Sequence, residues 1–77
     1  MKVNQAKEYY DLGLVTGFDA VKMPERGWSL IVYGPSERSW MLETALGKEK
    51  VYSTFESVNV EINRITGFVP PVWSFKI

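Results

Sequence analysis

The sequence has no cysteine and no histidine among its 77 residues. Without cysteine no disulfide can brace the chain, and nothing in it reports on the redox compartment. Without histidine it lacks the commonest zinc ligand and the side chain best suited to moving protons near neutral pH. Excess charge is missing too. Nine basic and nine acidic residues cancel, so no global field draws in nucleic acid or an anionic membrane, and an electrostatic partner would have to be met by a local patch. The apolar runs are a few residues long, against about 20 needed to span a bilayer. The start carries no signal-peptide pattern, which makes the cytoplasm the expected location and a membrane partner unexpected.

What the chain does have is aromatic mass. A chain this short buries only about 60% of the surface its unfolded form exposes. Three Trp, four Tyr and four Phe offer large buried areas at modest entropic cost, so one aromatic-anchored core, in a single domain spanning residues 1–77, is expected. From Val3 to Leu12, Val3, Ala6 and Tyr10 follow helical spacing while Lys2, Lys7, Glu8 and Asp11 supply the wet side; Gly13 is placed to end the helix. Leu14 to Met23 reads as a strand, with Phe18, Ala20 and Lys22 on one face and Asp19, Val21 and Met23 on the other. Pro24-Glu25-Arg26-Gly27 reverses the chain into Trp28–Tyr33, the clearest strand. After the turn at residues 34–38, Trp40, Leu42, Thr44 and Leu46 alternate as a third strand, and Val51-Tyr52 can return beside it. The second helix opens with Ser53 and Glu56 as a capping box, or with Thr54 as the cap, and carries Phe55, Val58, Ile62 and Ile65 on one face up to Gly67. Asn59, Glu61, Asn63 and Arg64 fall on its exposed side. Pro70-Pro71 stops any further helix, and Val72–Ile77 reads as a last strand with Trp73, Phe75 and Ile77 on one face. The expected fold is α+β, in the order α-β-β-β-α-β: a three- to four-stranded antiparallel meander packed on two helices.

Chemistry is harder to find. A nucleophile needs a base beside its Ser, Thr or Cys, and no such pairing is legible, so no catalytic residues are assigned and no enzyme is expected. Asp11, Asp19, Glu25, Glu37, Glu43, Glu49, Glu56 and Glu61 are scattered over turns and helix surfaces and read as solvating charges. No calcium-loop spacing occurs, and the glycines punctuate element boundaries rather than cradle a phosphate. Neither a metal nor a cofactor is expected.

Two binding readings remain. In the first, the last strand has to find an edge in its own sheet or in a partner chain. Trp73, Phe75, Ile77 and Tyr9 are then candidate residues for contact with a protein partner or a second copy of this chain. In the second, Lys22, Arg26, Trp28, Arg38 and Trp40 gather at hairpin ends and could stack single-stranded bases, unless Trp28 and Trp40 are core anchors. Lys48, Lys50 and Arg64, diluted by Glu49 and Glu61, read as solvated surface.

Gly27-Trp28-Ser29-Leu30, Leu42-Glu43-Thr44-Ala45 with Gly47, Val51-Tyr52 and the helix from Thr54 to Gly67 together resemble small uncharacterised accessory proteins of plasmids, integrons and other mobile elements. The resemblance covers about half the chain and implies an accessory role, without an activity or site residues. The order α-β-β-β-α is also similar to that of the double-stranded RNA-binding domain. That family opens its second helix with a lysine-rich phosphate clamp, where this sequence has Phe55-Glu56-Ser57-Val58-Asn59. Fold analogy without the site is a poor warrant for function.

Overall fold

The first helix ends where glycine permits a left-handed residue. α1 (Val3–Asp11) runs to a C-cap at Leu12, and Gly13 follows at φ +75°. Gly13 N–H then donates to the Tyr10 carbonyl and Leu14 N–H to that of Tyr9, the paired closure of a Schellman motif. In the computed structural model, which describes residues 1–67 and 74–76, this helix is followed by β1 (Gly17–Met23), β2 (Gly27–Tyr33), β3 (Ser39–Met41), α2 (Phe55–Thr66) and β4 (Ser74–Lys76). The architecture is the expected α+β arrangement.

β1 and β2 form an antiparallel hairpin whose register runs from Gly17↔Tyr33 to Met23↔Gly27. The same pairing puts Phe18, Ala20 and Lys22 on the face of Trp28, Leu30 and Val32, as strand alternation requires. Gly27 sits at φ +102°, and a Cβ there would lie 2.4 Å from the Tyr52 carbonyl oxygen. Its bare backbone lets residue 52 come alongside β2. Trp28 and Tyr52 exchange two backbone hydrogen bonds of 2.8 Å each.

That close approach changes the third strand. β3 pairs antiparallel with β2 only from Ile31↔Met41 to Tyr33↔Ser39, and Leu42 N–H still donates to the Leu30 carbonyl. The chain then leaves the edge. Glu43 N–H donates to the Met1 carbonyl, residues 44–48 close a turn, and Lys50 N–H returns to the Leu42 carbonyl. The third strand therefore stops well short of Leu46, which stands 86% exposed. Val51-Tyr52 comes back beside β2, not beside the third strand, because the edge opposite Trp28 has been vacated.

α2 starts at an N-cap Thr54, whose hydroxyl accepts from Ser57 N–H at 3.1 Å; this is the alternative cap, in place of Ser53. It ends at Gly67, φ +84°. Its Val58, Ile62 and Ile65 join Ala6 of α1, Ala20, Leu30 and Val32 of the sheet, and Leu42 and Tyr52 in one buried cluster. Each fully buried aliphatic side chain in such a cluster stabilises the fold by about 1.5–3 kcal/mol. Both helices pack against one another, and α2 lies on β2.

The sheet order is β3-β2-β1-β4. β4 pairs with β1 in parallel, Asp19↔Ser74 to Val21↔Lys76, so the last strand finds its edge within its own chain and the sheet is mixed. Trp73 and Ile77 lie outside the described residues. One acidic residue is not where its type suggests: Asp19, on the sheet face away from Leu30, is 3% exposed and accepts from the Tyr33 hydroxyl. A strand interior has no turn to solvate it, and its partner is a phenol.

Candidate interaction surface

The described part of the chain has one buried ionic cluster, and it forms where the returning segment meets α2. Glu61 is 1% exposed. Its Oε1 accepts from Lys50 Nζ and, at 2.9 Å, from the Tyr52 hydroxyl. Its Oε2 accepts from Arg64 Nη1 at 3.5 Å, one helical turn further on. Glu61, Lys50 and Arg64 are thus a connected network rather than independent surface charges, a correction to the sequence reading. A buried carboxylate without cations would cost several kcal/mol.

The titration behaviour follows from that geometry. Burial pushes the Glu61 carboxyl up, but the hydrogen bonds from Lys50 and Tyr52 and the charges of Lys50 and Arg64 together outweigh it and hold the group below its usual range. For Tyr52, burial first, then the hydrogen bond and charge of Glu61, drive the phenol well above its ordinary value, with Arg64 opposing weakly. Near neutral pH the pair is therefore an ionised carboxylate and a protonated phenol. The network holds an ionised carboxylate among two cations and a neutral phenol.

Beside this network runs an open groove of about 290 Å³, lined by Ser57, Val60, Glu61 and Arg64 of α2 and by Lys50 and Tyr52. Arg64 and Val60 form its outward lips, with the Arg64 side chain 66% and Val60 54% exposed.

The residues singled out from sequence are distributed over the molecule. Tyr9 packs edge-on against Trp40, centroids 5.5 Å apart. Phe75 lies in β4 opposite Ala20. Trp28 tilts against Phe55 at 5.3 Å, with Lys22 Nζ 6.0 Å from its ring centroid. Arg26 pairs with Glu49 at 3.0 Å. Arg38 is exposed, and its backbone closes the β2–β3 turn with Gly34 and Pro35. Trp40 stands opposite Val32, four residues along β2 from Trp28 and so roughly 13 Å away along the strand. Arg26 and Arg38 lie at opposite ends of β2. Lys22, Trp28 and Trp40 lie in strands and Arg26 and Arg38 in the turns at either end of β2, so the five do not converge on one platform.

Sequence reasoning missed Glu61 because it followed residue type. The spacing held the signal: position 61 lies three residues after Val58 and four before Ile65, inside the buried stripe.

Among the described residues, no group of three or more acidic side chains converges to hold a metal ion, and no helix is long and apolar enough to cross a membrane. No family description, curated protein or solved structure matches the chain.

Proposed function

We propose that this protein is a small non-catalytic interaction module that associates with a second copy of itself through the outer edge of β4. The observation that carries this reading is the contrast between the two edges of the sheet. At the β3 edge, the Met1 α-ammonium donates to the Met41 carbonyl at 3.1 Å and pairs with Glu43 at 3.3 Å, and the Met1 carbonyl accepts from Glu43 N–H. That edge is covered by the chain's own N-terminal residue. β4 is the terminal strand on the other side, with no further strand beyond it among the described residues, and a free strand edge is a template for strand addition. Two β4 strands related by a twofold axis would continue the sheet from one copy into the next. Phe75, one of the contact residues expected from sequence, belongs to this strand.

A nucleic-acid role gains no support from Trp28 and Trp40, whose rings already pack on Phe55 and Tyr9. An accessory role in a mobile element rests on the sequence resemblance alone.

Amide hydrogen exchange at several protein concentrations tests the edge. Successive N–H groups of a strand point to opposite sides, so alternate amides in Ser74–Lys76 should gain protection as concentration rises. Concentration-independent exchange in this segment would refute the edge as the contact.

A further inference from the structure

We infer that the groove between α2 and the 50–52 segment docks an extended acidic peptide, with Arg64 gripping a carboxylate and Val60 taking an aliphatic side chain two residues away. The charge balance around the groove selects the partner's sign. Lys50 and Arg64 bring two positive charges against the single carboxylate of Glu61, and the Tyr52 phenol stays uncharged, which leaves one positive charge in excess.

The two cations are not equivalent. Lys50, 31% exposed, is taken up by Glu61. Arg64 reaches Glu61 through one nitrogen at a long 3.5 Å, and its side chain is 66% exposed. The rest of its planar fork faces solvent and matches a carboxylate in bidentate geometry.

Spacing then selects an extended chain. Val60 and Arg64 are four residues apart on one helix, so their Cβ atoms stand about 6 Å apart. Same-face side chains of an extended peptide recur about every 7 Å. An acidic residue and an aliphatic one in the pattern acidic-x-aliphatic therefore reach both lips at once. The groove, about 290 Å³ and open to solvent, is at or below the size of ordinary small-ligand pockets, about 300–1,000 Å³, which suits a side chain and a stretch of backbone better than an enclosed metabolite. This site does not depend on β4 or on self-association.

The test is a titration of the isotope-labelled full chain with the capped peptide Glu-Ser-Val-Ser-Glu, its Gln-for-Glu analogue and inorganic phosphate, followed by NMR. The Glu peptide should shift the Arg64 side-chain N–H, the Val60 methyls and the Ser57 amide saturably, and the Gln analogue should bind about tenfold more weakly, the loss expected for a hydrogen bond to a charged group. Arg64→Ala should weaken binding similarly. Val60→Ser, which removes no hydrogen bond or ion pair of the ionic network, should weaken it without altering the fold. Shifts elsewhere on the protein, equal binding of the Glu and Gln peptides, or binding unchanged by both substitutions would overturn the assignment. The same shifts with phosphate alone would overturn the peptide in favour of a simple anion.

Discussion

Removing the Lys50 ammonium while leaving Glu61 in place isolates the ionic network. In Lys50→Met the stem that covers α2 is nearly preserved, but a carboxylate 1% exposed is left with only the Tyr52 hydroxyl at 2.9 Å and the distant Arg64. Breaking a buried pair from one side costs about 3–5 kcal/mol. The remaining donors and the partial exposure of Lys50 bring the expected loss toward about 2–3 kcal/mol. For a chain of 77 residues total stability is roughly 4–12 kcal/mol, so the variant should fold yet be visibly weakened. At a urea slope near 1 kcal/mol/M its midpoint should fall by about 2–3 M. The pH dependence carries the sharper signature. In the parent protein Glu61 titrates below its usual value, about 4.5, so its stabilisation is complete above that pH and is lost as pH falls through the folded-state value. In Lys50→Met burial, the largest single cause in the parent, meets fewer opposing groups, so the folded carboxyl should titrate higher than in the parent protein. The penalty should therefore be greatest at pH 7 and shrink as the solution is acidified toward pH 4. In a Glu61→Gln background the same Lys50→Met change should cost less than about 1 kcal/mol. A midpoint shift that is equal at pH 4 and pH 7, or equal in both backgrounds, would refute the reasoning.

Gly27→Ala places a methyl 2.4 Å from a backbone oxygen at φ +102°, so it should cost more than about 2 kcal/mol in chemical denaturation. Because the clash is with the Tyr52 carbonyl, Trp28 fluorescence should change even in the folded variant. Thr54→Ala removes the hydroxyl that accepts from Ser57 N–H, with an expected loss of about 1 kcal/mol. Arg26→Ala breaks an exposed pair with Glu49 and should leave the denaturation midpoint almost unmoved. Ile62→Asp places a charge at a fully buried position and should abolish the folded near-ultraviolet spectrum.

The helices and the β1–β2 hairpin were legible because local rules governed them: α2 carries its cap, its stripe and its terminal glycine within its own sequence. The third strand was not. Nothing in the alternation from Trp40 to Leu46 marks Glu43 as the point of departure. That point is set by Met1, forty residues away in sequence from Met41, and by Tyr52 taking the place opposite Trp28. The charged side chains divide in the same way. Arg26 and Lys48 are exposed, as their type suggests. Lys50 and Glu61 become a partly buried pair because the 43–50 excursion lands on α2, and a contact between segments eleven residues apart leaves no local signature. Asp19 had no signal beyond its place in a strand.

Self-association through a sheet edge can be read from the solution mass by light scattering, on the full chain at low and high salt. A backbone edge interface predicts a dimer at both salts, and a shift to a folded monomer when the outward N–H of β4 is removed by one of Ser74→Pro and Phe75→Pro. A folded monomer for the unaltered chain at both salts, up to the highest soluble concentration, would contradict it.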